Sequence, residues 1–274
     1  MNKKIGIIGF GNMGSAIGER IKFEYQVYAF DIDKNKTNKL TGIKVANSIN
    51  DLLTKVDTVI LAVKPQDFDV SLDEVKNFAE GKLIITIAVG IATGYIEKRL
   101  GKVRVIRAMP NLPARIGEGM ICLCTGKSAS EEEASFAEEL FKNLGATLIL
   151  NEDMMDAATA ISGSGPGYLY DWGENKTIQE IKQYARDIFI PSLTASAQSL
   201  GFTPQQAKTL VNTTVQGSLS FLEKANLSAA QLKKQVASKR GTTEAGLEVL
   251  HQGGSLEGAV KKAFERAKQL SKKE

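Results

Sequence analysis

Lys4-Ile5-Gly6-Ile7-Ile8-Gly9-Phe10-Gly11-Asn12-Met13-Gly14 is the stretch whose reading decides the fold. Residues 4–9 form a short, largely β-branched run, as expected of a strand. Residues 11–22 carry a helical pattern. Between them lies Gly9-x-Gly11-x-x-Gly14. Gly9 permits a tight turn, Gly11 lets backbone approach a pyrophosphate, and Gly14 allows close packing of helix on strand. The backbone N–H groups of a helix start can then receive the anion, which puts Phe10, Asn12 and Met13 in the same cradle. A second strand over 26–31 ends in Asp31, which follows Gly9 by 22 residues. That spacing suits a carboxylate on a ribose 2′-hydroxyl, and such a carboxylate repels a 2′-phosphate. The cofactor expected is therefore NAD(P)H, leaning to NADH. Lys34 and Lys36 follow Asp31 and offer the opposite option of pairing with a phosphate.

Outward from this stretch, strand and helix patterns alternate. Strands are expected at 43–46, 58–63, 83–88, 103–109, 120–124 and 146–150, with Ser48 capping a helix over 49–55 and an acidic-start helix over 130–144. The runs 58–63 and 83–88 are continuously apolar, as in strands buried on both faces. This alternation predicts an α/β domain with a doubly wound, mostly parallel sheet of Rossmann type. Ligands bind at the carboxyl ends of such strands. The loops there are Ala62-Val63-Lys64-Pro65, Ala88-Val89-Gly90 and Met109-Pro110-Asn111-Leu112-Pro113, with Asn111 held between prolines.

Beyond Asn151 strand signals stop. Helices are expected over 152–161, 188–200, 204–224, 229–236, 243–252 and 256–271, so the chain divides into a dinucleotide-binding domain at 1–151 and an all-α domain at 152–274. Glycine interrupts the helices at Ser162-Gly163-Ser164-Gly165-Pro166-Gly167 and at Ser238-Lys239-Arg240-Gly241-Thr242-Thr243. Residues 171–182 read as polar and irregular.

Composition narrows the function. The chain has 274 residues and a net charge of +4. Acidic residues match basic ones along almost its whole length, which argues against a nucleic-acid partner. The basic stretch 268–273 reads as a solvated helix end with lysines at the negative pole. Residues 5–10 are too short for a signal-peptide core, and no apolar run approaches the ~20 residues of a membrane span. Cys122 and Cys124, two apart on one strand, face the same way and lack further ligands nearby. They read as reduced thiols of a cytoplasmic protein, and no metal is expected. The single histidine, His251, reads as a surface or interface residue.

The motifs Ile7 to Gly14, Ala62-Val63-Lys64-Pro65, Ile106-Arg107-Ala108-Met109-Pro110-Asn111, Ile161-Ser162-Gly163-Ser164-Gly165-Pro166 and Gly241-Thr242-Thr243 stand in the order found in pyrroline-5-carboxylate reductases. The resemblance spans nearly the whole chain. It implies NAD(P)H-dependent reduction of Δ1-pyrroline-5-carboxylate to L-proline, the last step of proline biosynthesis. It also implies a helical second domain that dimerises, as a homodimer or within a ring of dimers. By the same resemblance Thr243 hydrogen-bonds the substrate nitrogen, Ser162, Gly163, Ser238, Gly241 and Thr242 line the substrate loops, and Ala62, Val63, Lys64, Pro65, Ala88, Gly90 and Asn111 contact the cofactor. A protonated cyclic imine is already electrophilic, so its reduction needs orientation more than a strong acid.

Two features depart from the family. Lys239 and Arg240 replace the usual Pro and Gly of the substrate loop, and residues 171–187 look inserted. Two rival readings remain at this point. A β-hydroxyacid dehydrogenase would need a lysine where Leu169 stands, four after Gly165. A non-catalytic dinucleotide sensor would have no need of the 163–167 and 238–243 loops.

Overall fold

The computed structural model describes residues 3–271. Eight strands are β1 (Lys4–Ile8), β2 (Gln26–Phe30), β3 (Lys44–Val45), β4 (Thr58–Leu61), β5 (Leu83–Thr86), β6 (Arg104–Met109), β7 (Gly119–Thr125) and β8 (Gly145–Ile149). They form one sheet in the order β3-β2-β1-β4-β5-β6-β7-β8. The registers of β1 with β2 and β4, of β2 with β3, and of β5 with β4 and β6 are all parallel. The order reverses between β1 and β4. At such a reversal the crossover connections leave in opposite directions and open a crevice at the strand ends. The sequence placed the strands correctly, with ends shifted by one or two residues.

By compactness the chain divides into two units. One holds the residues up to Ala108 and Leu123–Leu144; the other holds Met109–Cys122 and the chain from Gly145 on. The boundary expected at 151 thus falls inside the second unit, which also takes the Met109–Cys122 stretch from the middle of the chain.

In the first unit α1 (Asn12–Ile21), α2 (Ile49–Leu53), α3 (Phe68–Lys76), α4 (Thr93–Leu100) and α5 (Glu131–Lys142) accompany the strands. Ser48 caps α2 by accepting from the Asp51 N–H, and Ser130 with Glu133 forms a reciprocal capping box on α5. A core of Ile8, Leu52, Val59, Leu61, Phe68, Leu72, Ile84 and Ile96 fills the space between sheet and helices. Each of these is almost fully removed from water, which at about 25 cal/mol per Å² of apolar surface is the main source of the unit's stability.

The second unit contains α6 (Met155–Ala158), α7 (Gly165–Trp172), α8 (Ile178–Tyr184), α9 (Ile190–Ser199), α10 (Pro204–Lys224), α11 (Ala229–Val236), α12 (Thr242–His251) and α13 (Leu256–Leu270). Two five-residue π turns, Thr159–Gly163 and Ala185–Phe189, join α6 towards α7 and α8 to α9. Lys268 lies in the last turn of α13. The rest of the basic tail, 272–273, lies outside the described residues.

Two expectations are corrected here. The glycine-rich 162–167 stretch does not break the helical path; it is a π turn followed at once by α7. The 171–182 stretch is irregular only at 173–177, which joins the end of α7 to most of α8. Thr177 accepts from the Glu180 N–H while Glu180 accepts from the Thr177 N–H, a capping box that nucleates α8, and Ile181 buries its one apolar face. Asn175, at φ +59°, makes the left-handed turn between the two helices, a conformation its short polar side chain tolerates. The Trp172 ring stacks on Tyr184 with centroids 3.7 Å apart. Residues 171–187 are therefore built mainly of helix.

Gly14 shows how tightly α1 lies on the sheet. A Cβ there would stand 2.0 Å from the Gly9 carbonyl oxygen and 3.2 Å from the Ala62 side chain. Backbone on that side cannot yield. Gly14→Ala should destabilise the first unit by about 1–3 kcal/mol, the usual cost of overpacking. Urea unfolding followed by circular dichroism checks this; a loss below about 0.5 kcal/mol would show that α1 can lift off its strand at little cost.

Candidate functional site

The first unit builds an anion site at the end of β1. Gly9 has φ +92°, and a Cβ there would lie 2.7 Å from the Ala62 carbonyl, so both its conformation and the approach of β4 demand glycine. Gly11 differs: a Cβ there would meet no atom within 4 Å. The space beside it belongs to no part of the unit. Gly11 is also the N-cap of α1, with no side-chain cap and no acidic residue in the first turn. The N–H groups that open the helix therefore have no intrahelical partner, and its dipole presents positive charge to that space. Such a donor set fits a phosphate or pyrophosphate.

Asp31 fastens this turn from β2. One carboxylate oxygen accepts from the Phe10 N–H at 2.7 Å and the other from the Asp33 N–H at 2.8 Å. Lys36 Nζ reaches both oxygens, at 3.1 and 3.2 Å. Burial alone would raise the Asp31 carboxyl. The two amide hydrogen bonds and the Lys36 ammonium outweigh burial and hold it below the ordinary carboxylate range. Asp31 is thus ionised and already engaged by the protein, and Lys36, which the sequence offers as a partner for a phosphate, pairs with Asp31 instead. A cavity of about 360 Å³ lies against these residues, lined among others by Gly9, Gly11, Asp31, Lys36, Ala62 and Lys64. Lys64 and Pro65 are exposed at its rim, and Ile32 beside it is 92% exposed. Ala88 follows Thr86, whose hydroxyl accepts from the Ala88 N–H at 3.2 Å, and Gly90 turns the chain at φ +75°.

The second unit builds a cluster of buried hydroxyls. Ser162 and Ser164 are fully buried, and Thr242 and Thr243 nearly so. Ser164 Oγ and Thr242 Oγ1 are 3.0 Å apart, and Thr243 Oγ1 donates to Ser164 Oγ at 3.2 Å. The π turn brings the serines here: Ser164 N–H bonds back five residues to the Thr159 carbonyl, which widens the turn and directs the chain into α7. Gly167 leaves room for Thr243, because a Cβ there would lie 2.4 Å from Thr243 Cγ2. Gly241 is the N-cap of α12, again without a side-chain cap, and Ser238 makes the turn before it through its carbonyl to the Gly241 N–H at 2.9 Å. Ser238 itself is exposed. Asn111 serves this unit as a clamp. Its amide NH₂ reaches the Ser162 carbonyl and hydroxyl at 3.3 and 3.4 Å, and its carbonyl accepts from the Met120 N–H at 2.9 Å. Gly163 packs against Met109 in the same neighbourhood.

Ser164 and Tyr168 went unassigned in the sequence. Ser164 sits inside a quoted motif, but nothing in its spacing showed that two threonines far along the chain would converge on it. His251 bonds Asp171 through Nε2 at 2.9 Å, and Lys233 joins Asp171 and Glu174 at 2.8 and 2.7 Å. These contacts tie the 171–174 stretch to α11 and α12 and leave His251 as a surface partner. Among the described residues no group of three or more His, Cys, Asp or Glu is placed to hold a metal ion.

Lys239 and Arg240 are both exposed. Arg240 adopts φ +59°, the left-handed region, and its carbonyl accepts from Arg266 Nε at 2.9 Å. Arg240 thus holds a backbone conformation that glycine adopts at lower cost. Arg240→Gly should raise stability by up to about 1 kcal/mol through relief of this backbone cost, with the loop path unchanged. Thermal unfolding checks it; a clear loss of stability would mean the arginine side chain contributes more than its backbone costs.

Comparisons with known proteins place this geometry. A model for pyrroline-5-carboxylate reductase dimerisation matches residues 187–274, and one for coenzyme F420-dependent NADP oxidoreductase matches residues 4–90. The pyrroline-5-carboxylate reductase of Aquifex aeolicus is 30% identical over 279 residues, covering 100% of this chain and 98% of its own. That of Methanosarcina acetivorans is 32% identical over 286 residues, covering 99% of each. The crystal structure of Plasmodium falciparum pyrroline carboxylate reductase with NADP bound superposes with a TM-score of 0.63 at 28% identity, covering 98% of both chains. No helix among the described residues is long and apolar enough to cross a membrane. Full-length similarity to these relatives, together with the cradle at Gly9 to Gly14 and the hydroxyl cluster at Ser164, Thr242 and Thr243, shows that the chain belongs to the pyrroline-5-carboxylate reductase family.

Proposed function

We propose that this chain reduces Δ1-pyrroline-5-carboxylate to L-proline with NAD(P)H, as a cytoplasmic homodimer or ring of dimers assembled through its 187–274 region. The observation that carries the reading is the chemistry of the second-unit cluster. Ser164, Thr242 and Thr243 are neutral hydroxyls, and no carboxylate or imidazole hydrogen-bonds them among the described contacts. Such a group orients and hydrogen-bonds; it does not protonate a developing alkoxide. A protonated cyclic imine asks only for that. Its carbon takes the hydride, the C=N π pair becomes the nitrogen lone pair, and the neutral amine keeps its proton. Bound at the Gly9 to Gly14 cradle, NAD(P)H supplies the hydride. Thr243 orients the ring nitrogen. Ser238, Gly241 and Thr242, with the uncapped start of α12, receive the carboxylate; Ser162 and Gly163 shape the pocket wall. Phe10, Asn12 and Met13 supply cradle backbone, while Ala62 to Pro65, Ala88, Gly90 and Asn111 bound the cofactor loops. The dehydrogenase rival fares poorly, because Leu169, standing where its lysine would be, is fully buried in α7.

For the cofactor we propose a preference for NADH. Asp31 is held ionised at the end of β2, and the charge of Lys36 is already matched by it, so a 2′-phosphate would meet a carboxylate with little free positive charge to offset it. The ratio of kcat/KM for NADH and NADPH should favour NADH several-fold; a large preference for NADPH would overturn this.

The function itself is tested by following NADH oxidation with pyrroline-5-carboxylate, piperideine carboxylate and hydroxyacids side by side. Pyrroline-5-carboxylate should be the best substrate, and turnover of hydroxyacids alone would reverse the reading. Thr243→Ala should lower kcat/KM by about tenfold or more, as expected for a hydrogen bond to a charged group. An unchanged kcat/KM would remove Thr243 from the site.

A further inference from the structure

Tyr168 stands on the first turns of α7, is 1% exposed, and directs its hydroxyl to the buried side of the Ser164 cluster. That hydroxyl makes no hydrogen bond of good geometry with any described residue. Leaving a buried phenol unpaired costs about 1–3 kcal/mol, so its place calls for a reason. The fold has also made room for it. A Cβ on Gly246 of α12 would lie 2.3 Å from the Tyr168 hydroxyl oxygen, so only glycine at that position lets the phenol approach the cluster. Burial pushes the phenol well above its ordinary range, which keeps it protonated and able only to donate or accept as a neutral group.

Proton counting gives the reason. Each hydroxyl has one proton and two lone pairs. With Thr243 donating to Ser164, the Thr243 proton is turned inward and is not available to a ligand. Of these four hydroxyls Tyr168 is the one that no hydrogen bond engages. If Tyr168 and Thr242 both donate to Ser164 Oγ, the serine's lone pairs are filled. Its own proton then goes to Thr243 Oγ1, and the Thr243 proton turns outward. No bond to hydrogen is broken in this change; hydroxyls rotate and the direction of the chain reverses.

We propose that Tyr168 is a positioning residue that sets the direction of the Ser164–Thr242–Thr243 hydroxyl chain, so that Thr243 donates to the lone pair that forms on the ligand nitrogen as the hydride arrives. It acts through Ser164 and touches no reacting atom. The proposal rests on the substrate reading above, which assigns Thr243 to that nitrogen.

Tyr168→Phe keeps the ring and removes only the hydroxyl. With pyrroline-5-carboxylate and saturating NADH, kcat should fall about five- to tenfold while KM changes less than twofold, since the carboxylate contacts are untouched. The melting temperature should stay the same or rise, because the deleted hydroxyl has no partner in the resting protein. In a Thr243→Ala background the same change should have little further effect on kcat, since the hydroxyl it directs is gone. An unchanged kcat in Tyr168→Phe overturns the proposal, as does a fall in kcat accompanied by a lower melting temperature, or an equal fall in both backgrounds. The substrate reading fails separately: in that case the unaltered protein turns over no pyrroline-5-carboxylate, or Thr243→Ala leaves its rate intact.

Discussion

The buried carboxylate of Asp31 is the fastening on which the first unit's architecture depends. It comes from the end of β2, yet its oxygens take the N–H groups of Phe10 and Asp33. The turn after β1 is thereby tied to the neighbouring strand at the place where the sheet order reverses. Without that tie the Phe10 N–H would be a buried donor with no partner, and the turn that exposes the start of α1 would have little to hold it. Lys36 completes the arrangement by compensating the charge from the surface side. This carboxylate is thus first a structural element, with its oxygens committed to bonds within the unit.

Steric necessity distributes the glycines of the two units in a consistent way. Gly9 and Gly14 are required by backbone on the facing strand or turn, and Gly167 and Gly246 by hydroxyl-bearing side chains of the second unit. No described residue lies where a Gly11 side chain would go. A glycine with open space beside it is wasteful of conformational entropy unless something else comes close, and this contrast separates a glycine that packs from one that receives.

Much of the fold was legible because its signals are local. Period and burial mark the strands, and a strand-turn-helix with three glycines has one familiar outcome. The unread parts depend on non-local or finer information. The 171–182 stretch reads as irregular from its polarity, although Thr177 and Glu180 spell a capping box. The π turn at Thr159–Gly163 has no periodic signature, since it differs from an α turn by one residue per bond. The convergence of Ser164 with Thr242 and Thr243 spans almost eighty positions, and only tertiary structure brings them together. Asn111 was legible as a rigid residue but not as one that fastens Ser162 and Met120, and Met109–Cys122 joined the second unit although its strands continue the first unit's sheet pattern.

The stack of Trp172 on Tyr184, with Lys176 Nζ 5.3 Å from the indole centroid, carries a spectroscopic consequence. Trp172 is the sole tryptophan of the chain. Its emission therefore reports the α7–α8 region of the second unit and is blind to the first, whose aromatic reporters are tyrosines such as Tyr25, Tyr28 and Tyr95. A chain of two units need not melt in one step. Indole fluorescence alone would register as native a molecule whose nucleotide cradle had already come apart, and the gap between that signal and one carried by the whole backbone measures how strongly the two units unfold together.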